Sequence, residues 1–374
     1  MDLSVIVIAV VITALVFDFT NGFHDTANAM ATSIATGALQ PRVAVVIAAV
    51  LNLVGAFLSV AVAKTISSGL VDDTEITPVV IFGGLVGAIL WNLLTWLLGL
   101  PSSSSHALFG GLIGATWVAA GADAITFAGV VSKVLLPLVL SPIVAGLVAL
   151  AATYLAYRIT ARGEEGTVRQ GFTIAQIISA SMVALAHGTN DAQKTMGIIT
   201  LTLITAGSLP ENAGPPLWVI ATCGIAIALG TALGGWRIIQ TLGRKISDIQ
   251  SPQGFAAETT SAAVILTSAH LGFALSTTQV CTGSIFGASA GRRLASVQWG
   301  VAGRMALAWL FTLPAAAAVG AIASWVAATG TLGTVIVAVV GVAIAVGIYA
   351  ASRRQPVTAS NVNDVEAEPV PAGV

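Results

Sequence analysis

The stretch Asn21-Gly22-Phe23-His24-Asp25-Thr26-Ala27-Asn28-Ala29 returns later in the chain as Ala186-His187-Gly188-Thr189-Asn190-Asp191-Ala192-Gln193-Lys194. Each copy sets a carboxylate inside an otherwise apolar segment of helical length. Outward from these copies, a second pair of motifs follows. Ser103-Ser104-Ser105-His106, with Gly110 and Gly114 beyond it, aligns with Ser276-Thr277-Thr278-Gln279, with Gly283 and Gly287 beyond. Further on, Ser141-Pro142 aligns with Leu313-Pro314. The same order at nearly the same separation marks an internal duplication, which decides the architecture before any single element does.

The composition says what surrounds these motifs. Hydrophobic residues make up 56% of the 374 residues and charged ones only 8%, against about 25% charged in soluble domains. So few charges cannot cover a water-exposed surface, so lipid is the solvent. Uncharged runs long enough for spans of ~20 residues lie between Arg42 and Lys64, Glu75 and Asp123, Glu211 and Arg237, Glu258 and Arg292, and Met305 and Ser352. Gly330 divides the last run in two, and further spans fit Lys133–Tyr157, Phe172–Ala186 and the opening segment. The apolar start Leu3 to Phe17 lacks a basic n-region and reads as part of the first helix. Continuous rather than alternating apolar runs exclude a barrel. The net charge of −1 offers nucleic acid no attraction. Cys223 and Cys281 lack metal-ligand spacing and suggest no disulfide.

Charge bias orients the chain. With the N-terminus outside, Arg42, Arg158, Arg162, Arg169, Arg237, Arg244, Lys245, Arg292, Arg293, Arg353 and Arg354 fall inside, and the acidic loop Asp72, Asp73, Glu75 falls outside. Lys64 falls outside, Lys133 opens a helix near that face, and Lys194 and Arg304 sit within or beside helices. An odd number of spans then separates Gly22 from Gly188, so the halves enter the membrane from opposite sides. The expected fold is all-α and polytopic, with two inverted-topology repeats, broken helices and two re-entrant helical hairpins. The expected divisions are a first repeat over 1–158, a short cytoplasmic linker over 159–171, a second repeat over 172–327, an extra transmembrane helix over 328–352, and a disordered cytoplasmic tail over 353–374.

An Asp at a helix centre costs roughly 2.5–3.5 kcal/mol to insert. Two at matched positions, with amide neighbours Asn28 and Asn190, point to cation binding or proton exchange in a cavity. Lys194 stands where the first copy has Asn28, and either attracts an anion or neutralises Asp191 one turn away. Ser103, Ser104, Ser105, Ser276, Thr277 and Thr278 each follow one apolar run and open another. Hydroxyls and free N–H groups at a helix start suit a tetrahedral oxyanion, and they also suit ordinary capping. His24, His106, His187 and His270 all fall in or near membrane segments, and His24 and His187 flank the two Gly/Asp motifs. They shuttle protons, contact phosphate or serve as hydrogen-bonded structural groups, the last being the reading for His270. Glu258 is an additional cation ligand or a carboxylate favoured by a helix N-terminus. Resident metals and cofactors are not expected.

At these motif pairs the sequence resembles the inorganic phosphate transporter (PiT) family, in particular its bacterial low-affinity, proton-linked branch. The resemblance runs from about Phe17 to Val326. Gln279 and Leu275 depart from the family pattern at the second hairpin tip. The resemblance implies phosphate contacts at Ser103, Ser104, Ser105, Ser276, Thr277 and Thr278, and cation contacts at Asp25, Asn28, Asn190 and Asp191, with His24, Lys194 and Glu258 accessory. It implies a non-enzymatic, multi-pass plasma-membrane protein importing phosphate, free or as a metal–phosphate complex, by alternating access with H⁺ favoured over Na⁺. The expected partners are phosphate, the coupling cation and the bilayer, with a homodimer left open. The rival readings are a sulfate permease, a passive channel, and a hydrolase using Ser105 with a histidine. The last is disfavoured because adjacent helical residues such as Ser105 and His106 do not face each other.

Overall fold

The computed structural model describes residues 3–67, 76–292 and 297–364. Asp72, Asp73, Glu75 and Arg293 lie outside these residues, as does the tail from 365 onward. The Lys133 side chain is also not described. Every regular element among the described residues is helical. The first half contains α1 (Leu3–Ala35), α2 (Pro41–Ala56), α3 (Ala61–Ser67), α4 (Pro78–Leu97) and α5 (Ser104–Ala120). The short α6 (Phe127–Val130) then runs through a π-turn (Val131–Leu135) into α7 (Leu136–Thr160). The second half contains α8 (Glu165–Thr205), α9 (Leu217–Leu233), α10 (Trp236–Gln240, extended by a π-turn to Lys245), α11 (Ser251–His270), α12 (Thr277–Arg292) and α13 (Trp299–Ala327). α14 (Thr331–Ser352) closes the chain's helices.

Six of the described helices are long and apolar enough to cross a bilayer, and α9 with α10 and its π-turn meets the same length and composition only as a pair bent by 60°. Many large apolar side chains point outward, among them Ile8, Leu147, Leu310, Trp325 and Leu332, as lipid requires. The molecule is a multi-pass membrane protein.

The two hairpins, α4–α5 and α11–α12, turn by the same device. Gly99 (φ 65°) and Gly272 (φ 78°) adopt the left-handed conformation that ends α4 and α11. Leu100 N–H then bonds to Thr95 O at 2.9 Å, and Phe273 N–H to Ser268 O at 2.8 Å, the six-to-one bond of a Schellman stop. The chain re-enters a helix at Ser103, whose hydroxyl accepts from His106 N–H at 3.1 Å, and at Ser276, which accepts from Gln279 N–H at 3.3 Å. Gln279 and Leu275 therefore leave the second tip built like the first.

The breaks fall elsewhere than at the carboxylates. α1 passes unbroken through Gly22 and Asp25, and α8 through Gly188 and Asp191. Side chains from the hairpin tips satisfy these carboxylates, so no backbone has to open. The glycines serve close approach. A Cβ on Gly22 would lie 2.2 Å from Ile227 O of α9, and one on Gly188 2.2 Å from Asn52 O of α2. The hairpins repeat the pattern: Gly110 faces Leu313 O of α13 and Gly283 faces Pro142 O of α7, each at 2.4 Å from a built Cβ. Each half thus lays its first helix and its hairpin against helices of the other half. The span expected over Val43–Ala63 is interrupted between α2 and α3.

Two other expectations are corrected. The linker is shorter than 159–171, since α7 ends at Thr160 and α8 begins at Glu165. Residues 353–364 run in turns instead of a disordered tail. Val362 is buried, Arg244 Nε donates to Asn363 Oδ1 at 3.1 Å, and Arg237 donates to the carbonyls of Ser352 and Gln355. These arginine bonds and one apolar anchor hold the segment down.

Two clefts sort the helix ends. One, of about 870 Å³, gathers Ile6, Pro78, Val118, Thr205, Trp325 and Thr334. The other, of about 540 Å³, gathers Ala35, Thr160, Glu165, Arg169 and Gln250. These sets match the outside and inside assignments made from the basic residues, and they place α1 and α8 antiparallel.

Candidate functional site

Between the clefts, α1, α8 and both hairpin tips meet in a buried polar chamber that their own side chains fill. α1 and α8 pack side by side along their length, which brings Asp25 and Asp191 together although 166 positions separate them. Both are buried. His187 bridges them, with Nε2 at 3.2 Å from Asp191 Oδ2 and 3.9 Å from Asp25 Oδ2. Its other nitrogen, Nδ1, lies 3.0 Å from Asn52 Oδ1, which fixes the ring. Ligand atoms of Asp25, His187 and Asp191 all lie within 4.8 Å of one another, a spacing that one cation could span.

The tips answer the carboxylates in matched fashion. Ser104 Oγ donates to Asp25 Oδ2 at 2.8 Å, and Thr277 Oγ1 donates to Asp191 Oδ2 at 2.9 Å. One residue further on, contacts cross between halves. Asn28 Nδ2 donates to Thr278 Oγ1 at 3.1 Å, and Lys194 Nζ donates to Ser105 Oγ at 2.6 Å. Thr278 also donates to Asp25 Oδ2 at 3.3 Å. Lys194 forms an ion pair with Asp191, so its contacts join an acidic group of its own helix to the opposite tip. Asn190 Nδ2 donates to Asp191 Oδ1 at 2.9 Å. The amide oxygens of Asn28 and Asn190 have no partner, so they are free to ligate.

The six tip residues divide into two kinds. Ser104, Ser105, Thr277 and Thr278 face the charged groups, while the hydroxyls of Ser103 and Ser276 cap α5 and α12. His24 holds Asp25 Oδ1 through Nδ1 at 2.6 Å and reaches Thr95 and Ser102 through Nε2 at 3.2 and 3.4 Å. His106 is buried with Nδ1 unpaired, whereas His270 is exposed at the end of α11.

Glu258 lies outside this chamber and away from any helix N-terminus. It stands two turns into α11. Its carboxylate accepts from Thr32 at 2.5 Å, Ser179 at 2.6 Å and Gln176 at 3.3 Å. Thr32 lies two turns beyond Asp25, about 10 Å along α1, toward the cleft that holds Ala35. Glu258 therefore forms a second buried acidic site. The sequence offered His187 as a proton shuttle, phosphate contact or structural group without showing that it bridges both carboxylates, and gave Asp18 no role. Asp18 is fully buried seven positions before Asp25, and that spacing was the available signal.

The sequence pattern of the Phosphate transporter family matches residues 21–320. A Mycobacterium bovis protein named "Probable low-affinity inorganic phosphate transporter" is 56% identical over 363 residues, covering 96% of this chain and 87% of that protein. A Bacillus subtilis protein of the same name is 45% identical, covering 87% of this chain and 98% of its own. Among solved structures, "The sodium-dependent phosphate transporter" superposes with a TM-score of 0.76 at 25% identity, covering 86% of this chain and 98% of that one. The chain belongs to the phosphate transporter family.

Proposed function

We propose that this protein imports inorganic phosphate by symport with a cation, H⁺ favoured over Na⁺, through alternating access of two inverted repeats. The observation that carries the reading is the buried polar chamber in which two carboxylates meet two hydroxyl-lined helix starts. Phosphate would take the hydroxyls of Ser104, Ser105, Thr277 and Thr278, and the helix-start N–H groups of α5 and α12, where the helix dipole favours an anion. The hydroxyls of Ser104, Thr277 and Thr278 now donate to Asp25 and Asp191, while Ser105 accepts from Lys194, so phosphate and ionised carboxylates compete for the same donors and repel each other. Lys194 offsets one negative charge. Neutralising the rest requires a proton or cation, so the anion and its co-ion bind together or not at all, which is coupling in the thermodynamic sense. The same co-ion offsets the membrane potential, which opposes anion entry by about 2.3 kcal/mol per charge per 100 mV.

The antiparallel α1 and α8, with their duplicated glycine contacts, support the inverted repeat. The clefts at either end support alternate opening to each side. The free amide oxygens of Asn28 and Asn190 favour a second reading, in which Na⁺ is the co-ion, since hard cations take such ligands. Reconstituted protein under an imposed pH gradient, Na⁺ gradient or neither separates the readings. Accumulation of labelled phosphate driven by the pH gradient and collapsed by a protonophore is expected. Accumulation driven only by Na⁺ would replace H⁺ in the account, and equal inhibition by sulfate would point to a general oxyanion permease.

A further inference from the structure

α1 carries a buried polar stripe. Asp18, Asn21, Asp25, Asn28 and Thr32 recur at steps of three and four, on one face of the helix. All are buried, so the stripe faces protein and not lipid. Its centre is the chamber carboxylate Asp25, and its far end, Thr32, donates to Glu258 at 2.5 Å. Its near end, Asp18, is fully buried, and neither carboxylate oxygen has a hydrogen-bond partner.

We propose that Asp18 is a proton-binding site of the transport cycle, protonated in the closed form and exchanging its proton as the phosphate chamber loads and empties. The proposal rests on the phosphate-symport reading above and names the relay site through which the coupling proton reaches Asp25.

The surroundings of Asp18 make the case. An ionised carboxylate buried without a partner is strongly disfavoured, and the neutral acid is the form such a site holds. The ionisable groups near enough to act on it electrostatically are Lys194, His187 and Asp191 of α8 and the Cys223 thiol of α9. Lys194 is already engaged by Asp191 and Ser105, and His187 by Asp191 and Asn52. α4, which also packs on α1, brings no ionisable side chain. A metal cation requires several oxygen ligands. Besides its own two oxygens, Asp18 has the Thr195 hydroxyl close enough to act on it, though outside full hydrogen-bond geometry. A proton needs no cage. In the step proposed, the Asp18 O–H bond breaks, the proton passes to water and onward along the stripe toward Asp25, and the carboxylate left behind is reprotonated from the side of the Ile6 cleft. One proton enters and one leaves per cycle, with no other co-reactant.

Asp18→Asn keeps the shape and fixes the neutral form. In proteoliposomes it is expected to continue phosphate–phosphate exchange at equal concentration on both sides. It is expected to lose pH-gradient-driven accumulation at least tenfold. Infrared difference spectra of wild type against Asp18→Asn are expected to show the carbonyl stretch of a protonated carboxylic acid in the wild type only. Wild-type accumulation by the variant, or no such difference band, overturns the proposal. If exchange and accumulation are both lost, the infrared band decides. A wild type driven by Na⁺ alone overturns the proton site and leaves phosphate transport standing. A wild type that moves no phosphate overturns the underlying reading instead.

Discussion

At the residue scale, the chamber holds its charges in fixed pairs, and Lys194 has the most to lose. Removing its ammonium leaves Asp191 buried without its counter-ion, and breaking one side of a buried ion pair costs about 3–5 kcal/mol. Lys194→Met should lower the thermal midpoint of the detergent-solubilised protein and abolish phosphate accumulation. Adding Asp191→Asn in the same chain should recover much of the midpoint and none of the transport. The Asp25 and Asp191 pair was legible in the sequence because duplicated acids in apolar runs admit few explanations. Their partners were less so. His187 reaches Asp191 one turn away on α8, a spacing the sequence carries, but it reaches Asp25 only because α1 and α8 lie side by side, which leaves no trace in one chain's spacing. Of the two readings of Glu258, cation ligand or helix-start charge, the second fails because α11 begins at Ser251, two turns before the acid.

At the element scale, the repeat-matched glycines are contact points rather than hinges. A side chain at Gly188 meets the backbone of Asn52, which cannot move aside without shifting α2. Overpacking of this kind costs typically 1–3 kcal/mol, occasionally more, so Gly188→Val should sharply reduce the yield of folded protein. Gly171, also within α8 but with open space around it, is the control. Gly171→Ala should raise the thermal midpoint slightly, since Ala exceeds Gly in helices by about 0.8–1.0 kcal/mol. Hairpin tips were readable from the Ser103 and Ser276 helix starts, whereas the stops at Gly99 and Gly272 gave no signal apart from the other glycines of the apolar runs. The unbroken course of α1 and α8 was not, because glycine in an apolar run reads equally well as a break or as a close crossing.

At the scale of the whole molecule, the buried chamber lies between two clefts whose linings come from opposite helix ends. Ala328 lines the first and Ala161 the second, and both are exposed. The native thiols Cys223 and Cys281 are buried and give a quiet background. Ala328→Cys should react with a membrane-impermeant thiol reagent added outside intact cells, and Ala161→Cys only after the inner face is opened. Labelling of both from one side would contradict the orientation. The long apolar helices were readable from charge-free runs, apart from the run after Arg42, which splits into α2 and α3, whereas the docking of residues 353–364 onto the bundle was not, since Val362 and the bonds from Arg237 and Arg244 give a polar segment little sequence signature.

The central claim is that Asp25 and Asp191 jointly carry the co-ion that drives phosphate uphill. The most direct measurement is accumulation of labelled phosphate against its gradient in proteoliposomes holding wild type, Asp25→Asn or Asp191→Asn, each checked for folding by size-exclusion chromatography. The account predicts uphill accumulation by the wild type and none by either variant despite a folded profile. Full accumulation by a folded Asp25→Asn or Asp191→Asn protein would contradict it.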